Sequence, residues 1–283
     1  MFALILAATI GFTPADAHFA YEKAGELVER HTPRDAGTFR GRQAANYILD
    51  ETSAAGANVR RDTFTALTPT GERTFTNLYA EFGSGGESNR WVIVVSHYDT
   101  KPGSGSPGAN DGASTTGLLM ALAKIASESR NRLGGNLMLV WTDGEECRAS
   151  YGENDGLWGA RRAVEYVREK GRNVQAVICV DMIGDSELNI IVPENVSPTL
   201  AEIALHAARR AGLAGVVTRS HELVKDDHLP FLEAGYKAIV LIDFDYGPNN
   251  AYWHTPQDTL DKISEASLLK SGRILAELVN ILL

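Results

Sequence analysis

WVIVVSHYDT, residues 91–100, begins with an unbroken apolar run from Trp91 to Val95 and then turns polar at once with His97 and Asp99. A run rich in Val and Ile with no polar alternation suits a strand covered on both faces, as in a parallel or mixed sheet flanked by helices. Two similar runs follow, Leu137 to Thr142 and Ala238 to Asp243, and a fourth strand is expected over Ala176 to Asp181. Asn77 to Phe82 is a further β-rich run upstream.

Between these strands the apolar spacing becomes helical. Helices are expected over Ala113 to Ser129, Gly156 to Lys170, Ser197 to Ala211 and Ser264 to Leu283, with a shorter one over Asp227 to Ala234. Val216 and Val217 begin a short extended piece, and Gly103 to Gly108 is a Gly/Ser/Pro loop. From Ala20 to Leu49 the spacing is helical, with a polar interruption around Thr32 to Asp35. Strands and helices in turn predict a single three-layer α/β/α sandwich with a mixed, mostly parallel central sheet and right-handed crossovers.

The chain has 283 residues, 44% of them apolar, enough for one large α/β domain with a full core. Its formal charge of −9 argues against nucleic acid as a partner, since that requires a basic face. Phe2 to Phe12 has the composition of a signal-peptide core, and Ala15-Asp16-Ala17 has the form of a cleavage site. Residues 1–17 are therefore expected to be a signal peptide for export to the periplasm or medium, and 18–283 the catalytic domain. The apolar run is far too short to span a membrane. Cys147 and Cys179 are expected to be buried free thiols, because two cysteines do not make a disulfide framework.

In open α/β sheets ligands bind beyond the carboxyl ends of the strands. That is where the charged residues lie: His97 and Asp99 follow Trp91 to Val95, Glu145 and Glu146 follow Leu137 to Thr142, Asp181 ends Ala176 to Asp181, and Asp243 and Asp245 lie at the end of the run from Ala238. One histidine after a strand is usually a hydrogen-bonded rim residue. Several carboxylates and imidazoles at one sheet edge repel or go unsatisfied unless something positive sits among them. A divalent cation answers that need, and His plus carboxylate ligands without thiolates favour zinc or a related first-row metal. His18, His31, His206 and His221 have no such setting and are given no role.

The succession Ser-His97-Tyr-Asp99-Thr, Gly-Ala-Asn-Asp111-Gly, Asp-Gly-Glu145-Glu146, Val-Asp181-Met-Ile-Gly and Trp-His254-Thr-Pro-Gln-Asp258 resembles the zinc exopeptidase family. That family includes bacterial leucyl-type aminopeptidases and glutaminyl-peptide cyclotransferases, and the match runs from about residue 30 to the C-terminus. The resemblance implies that Asp111, Glu146 and His254 ligate zinc. His97 and Asp181 would complete a second metal site, with Asp111 bridging, in two-metal aminopeptidases. It further implies that Glu145 carries the proton and that Asp99 hydrogen-bonds His97 to fix its tautomer.

Outer features resemble the cyclases more closely. Trp253 precedes His254 as in their Trp-His-Thr, and Asp226-Asp227-His228 resembles their Asp-Asp-His segment, which places Asp226 in the network around the proton carrier. Asp155-Gly-Leu-Trp158-Gly-Ala-Arg161 also resembles a cyclase segment. Trp253 and Trp158 are expected to bind substrate, and Asp181 and Asp226 to assist catalysis. The implied reaction converts an N-terminal glutamine of a peptide or protein to pyroglutamate with one zinc ion and release of ammonia. The alternative is an aminopeptidase with two zinc ions and a bridging hydroxide. An inactive binding module is a third class, which usually loses metal ligands; none is lost here.

Overall fold

The computed structural model describes residues 9–83, 89–129 and 133–283. Its centre is an eight-stranded sheet in the order β1-β2-β4-β3-β5-β8-β6-β7, built from β1 (Val59–Thr68), β2 (Gly71–Phe82), β3 (Arg90–His97), β4 (Asn136–Thr142), β5 (Asn173–Asp181), β6 (Ile190–Val192), β7 (Val217–Arg219) and β8 (Ala238–Ile242). The middle strands β4, β3, β5 and β8 run parallel, and β1, β2 and β6 add antiparallel pairings. The expected mixed, mostly parallel sandwich is what the chain forms.

The four central strands are the apolar runs of the sequence, and all of β4 and β8 is buried. Helices α1 (Pro14–His31), α2 (Phe39–Ala54), α3 (Thr115–Glu128), α4 (Trp158–Glu169), α5 (Pro198–Arg210), α6 (His228–Glu233) and α7 (Glu265–Leu282) flank the sheet. α3 is buried along nearly its whole length, matching its run of Leu, Ala and Met. The polar stretch around residues 32–35 breaks the first helical segment into α1 and α2, as expected.

Two strands escaped the sequence reading. β1 forms an antiparallel hairpin with β2, whose start lies at Gly71, six residues before the expected Asn77. Its residues include Arg60, Arg61 and Asp62 on a half-exposed edge, so no apolar run marks it. β6 has three residues and is too short to carry a period.

The N-terminal segment is described from residue 9 onward. Residues 1–8 of the expected export segment lie outside the described residues. Ala15, Asp16 and Ala17 lie in the first turn of α1, which Thr13 caps by a reciprocal exchange with Asp16. Ile10, Phe12 and Ala17 are buried in the core, and Asn280 of α7 bonds both backbone groups of Ile10 at 2.8 and 2.9 Å. Both cysteines are free and buried. Among the described residues no helix is long and apolar enough to cross a membrane.

Candidate metal centre and active site

The parallel strands bring their carboxyl ends to one edge. His97 ends β3, Asp181 ends β5, Glu145 and Glu146 follow β4, and His254 lies on the segment after β8. Asp111 comes from an irregular turn over Ala109–Ser114. Gly112 makes that turn possible: its φ is +93°, and a Cβ there would lie 3.1 Å from the His97 ring and from the Asp99 carbonyl.

Two groups of side chains are positioned to hold a metal ion: Asp111 with Glu146 and His254, and His97 with Asp111 and Asp181. Nε2 of His254 is 2.8 Å from Glu146 Oε1 and 3.2 Å from Asp111 Oδ2. Nε2 of His97 is 3.2 Å from Asp111 Oδ1 and 3.1 Å from Asp181 Oδ1. Ligand atoms on a tetrahedral zinc are about 3.3 Å apart for bonds near 2.0 Å, so these donors have the right chemistry and nearly the right spacing. Among the described residues no other such group occurs.

The protein's own charges show the strain of this arrangement. Burial works against charge on both histidines, yet the carboxylates outweigh it, raising His254 to about 9 and His97 well above its usual value. Burial and the charge of Asp111 push Glu146 up to about 7. Glu145 rises well above the usual carboxylate range because it is buried and sits next to Glu146. Burial raises Asp181 as well, against the pull of His97. A divalent cation held here would replace this sharing of protons with a fixed positive charge.

Asp99 departs from expectation. It lies 3.6 Å from Nδ1 of His97, beyond a hydrogen bond, and accepts the backbone N–H groups of Gly144, Glu145 and Glu146 at 2.9, 3.1 and 3.3 Å. It therefore fixes the loop that carries the two glutamates more directly than the imidazole.

A cleft of about 400 Å³ opens over the centre, with Glu145, Glu146, Asp111, Asp181 and His254 at its base. Trp253 and Phe244 form an aromatic wall, crossing edge to face at 4.9 Å, and Trp253 also stacks on His254 at 4.0 Å. Trp158 does not join them. It is buried at the start of α4 and stacks on Phe75 at 5.1 Å, so its expected part in substrate binding gives way to packing. Asp226 is buried behind the cleft. The only hydrogen bond to its carboxylate among the described residues comes from the backbone of Asp227, and it acts on Glu145 through charge. Asp243 accepts the backbone N–H groups of Asn189 and Asp245 and belongs to neither metal group.

Several residues were not foreseen. Tyr151 donates to both oxygens of Glu145, and Lys101 places Nζ 3.4 Å from Glu146 Oε2 and 3.2 Å from Cys147 Sγ. Beneath the turn, Asp258 accepts the N–H groups of Asn110 and Asp111 and the hydroxyl of Tyr246. The buried guanidinium of Arg34 donates to the carbonyls of Tyr98, Pro107, Gly108 and Asp111. Asp258 stood inside a quoted motif; the others had no signal beyond nearness to one.

The model of peptidase family M28 matches residues 77–279, a span that includes His97, Asp111, Glu145, Glu146, Asp181 and His254. The chain belongs to this family. Among M28 relatives, the Drosophila melanogaster glutaminyl-peptide cyclotransferase is 26% identical over 83% of this chain and 73% of its own. The crystal structure of an Acidobacteriales bacterium glutaminyl cyclase superposes with a TM-score of 0.89 at 30% identity, covering 100% of this chain and 98% of that one. A leucine aminopeptidase precursor from Bacteroides thetaiotaomicron shares the fold, with a TM-score of 0.84 at 22% identity over 97% and 99% of the two chains.

Proposed function

We propose that this M28 protein is a zinc-dependent glutaminyl-peptide cyclotransferase acting on the N-termini of peptides or proteins. The observation that carries the reading is the wall of Trp253 and Phe244 beside Glu145 at the base of a small cleft. Cyclisation folds a glutamine side chain back onto its own amine, and an apolar wall confines that short chain and excludes water as a competing nucleophile. The names of the relatives support the same reading.

Asp111, Glu146 and His254 would hold the zinc. Bound there, it supplies a Lewis acid for the side-chain amide carbonyl. Glu145 takes a proton from the α-ammonium group. The freed nitrogen bonds to the amide carbon and gives up a second proton, the bond to the amide nitrogen breaks, and Glu145 relays both protons to the departing nitrogen, which leaves as ammonia plus a proton, that is, ammonium. Asp226 and Asp227 act on Glu145 through charge, which favours its protonated form midway through the reaction, and Asp181 acts in turn on Asp226.

A second reading is favoured by the intact group of His97, Asp111 and Asp181, with Asp111 facing both histidines. That geometry suits two zinc ions and an aminopeptidase. Metal content by mass spectrometry, with assays on glutaminyl and leucyl peptides, separates the two. About one zinc per chain with ammonia release supports the cyclase. Two zinc ions with leucyl-peptide cleavage and no ammonia overturn it. Export remains part of the proposal, because peptide and protein N-termini outside the cell would then be the substrates.

A further inference from the structure

We infer that Tyr151 is a positioning residue for Glu145, held over it by a loop whose construction serves that contact. The inference rests on Glu145 as the proton carrier, a role common to both reactions above.

The phenolic hydroxyl of Tyr151 lies 2.9 Å from Oε1 and 3.2 Å from Oε2 of Glu145, and both residues line the cleft. Tyr151 is the only side chain, among the described residues, seen to donate a hydrogen bond to this carboxylate. A buried carboxylate without a donor is costly and free to rotate; one held through both oxygens has a fixed plane. A proton carrier needs that, since its reach to the α-amine and to the leaving nitrogen depends on where the oxygens point.

The loop from Cys147 to Leu157 shows how the tyrosine is brought there. Asp155 folds it back by accepting the N–H groups of Arg148, Ala149 and Ser150 at 2.6, 2.8 and 3.0 Å. The Arg161 guanidinium fastens it from α4 through the carbonyls of Gly152, Glu153 and Gly156. The end of the loop returns to its start where Leu157 N–H donates to the Glu145 carbonyl at 2.9 Å. Gly156, with φ +79°, leaves room for the ring: a Cβ there would fall 2.6 Å from Tyr151 Cδ1 and 2.9 Å from the Glu145 carbonyl. Asp155 and Arg161 thus hold the backbone of the loop that carries Tyr151, and Gly156 leaves room for its ring. None of the three is in the cleft lining.

The test is Tyr151→Phe, which keeps the ring and removes the hydroxyl, assayed by steady-state kinetics on the purified zinc-loaded enzyme. The expected result is a fall in kcat of about ten- to a hundred-fold, with KM and zinc content nearly unchanged and a melting temperature lowered only by the loss of one buried hydrogen bond. In a Glu145→Gln background the same substitution should remove no further activity, because the group it orients no longer carries a proton. Wild-type kcat in Tyr151→Phe, a change confined to KM, or an equal further loss in the Glu145→Gln background would each overturn the inference. Asp155→Asn, which loosens the loop and leaves the hydroxyl intact, should lower kcat in the same direction; an unchanged kcat also counts against it. Full activity in Glu145→Gln alone would instead defeat the functional reading beneath.

Discussion

Asp111 faces His254 at 3.2 Å through Oδ2 and leaves Oδ1, at 3.2 Å, for His97. One carboxylate therefore serves both metal groups, and its backbone is fixed from below by Asp258 and Arg34. The expected ligands differ in what their loss removes. Asp111→Ala should disable both groups, and His254→Ala only the one that includes Glu146. Zinc affinity should fall by more than about a hundred-fold in either, the upper range for losing a mere outer partner, and activity should fall with it. Metal titration of the purified variants checks this; a well-folded His254→Ala protein with normal activity would sink the family-based ligand assignment.

Glu145→Gln keeps the shape and the contact with Tyr151 but cannot accept a proton. Zinc should stay bound while turnover falls by roughly two to four orders of magnitude. Zinc lost in this variant would mean that the two adjacent glutamates have exchanged roles.

Trp253 forms part of the cleft wall and also stacks on His254, so its truncation has two effects. Trp253→Ala should retain zinc at stoichiometric concentration and lose most cyclisation, while Trp253→Phe should recover much of it. Metal content and ammonia release, measured side by side, separate the two effects. Unimpaired cyclisation in Trp253→Ala would remove the observation on which the cyclase reading stands.

His228 is fully buried, and burial lowers its ring to about 4 against an ordinary 6.5. The folded state thus binds fewer protons than the unfolded one between those values, and stability falls as pH drops from about 6.5 toward 4. The difference corresponds to on the order of 3 kcal/mol, fully present above pH 6.5. Melting temperature followed against pH should show this loss, and His228→Gln, which keeps a donor for the Asn195 carbonyl, should flatten it. An identical acid slope in the variant would assign the loss elsewhere.

A chain starting at His18 tests the expected boundary after residue 17. It lacks buried Ile10 and Phe12 and the Thr13 cap. Each buried apolar side chain contributes about 1.5–3 kcal/mol and a cap about 1. Chemical denaturation should therefore show a loss of roughly 4 kcal/mol or more. Equal stability of the two chains would leave the boundary where the sequence reading put it.

The sequence yielded the parts of this molecule whose signals are local. β3, β4, β5 and β8 announce themselves as apolar runs, and the carboxyl-end rule then collects His97, Glu145, Glu146 and Asp181 before any contact is known. β1 was missed because an edge strand half in water can mix Arg and Asp with Phe64 and Leu67. Trp158 was misjudged because a motif records that an aromatic is present and not which way its ring faces. Arg34 was illegible for a different reason: it reaches Asp111 across 77 residues of chain, and no spacing signals such a contact.

Arg34 also bears on the protein before it acquires metal. Its guanidinium is fully buried, donates only to backbone carbonyls among the described residues, and lies close enough to Asp258, Asp111, Asp99 and Asp35 for their charges to act on it. Burial lowers it to about 10, still well above neutrality, so it stays charged. It behaves as a resident counter-ion covalently built into the scaffold, which partly offsets the acidic edge whatever the ion content. One positive charge at this edge is thus supplied by the chain itself and does not depend on a bound ion.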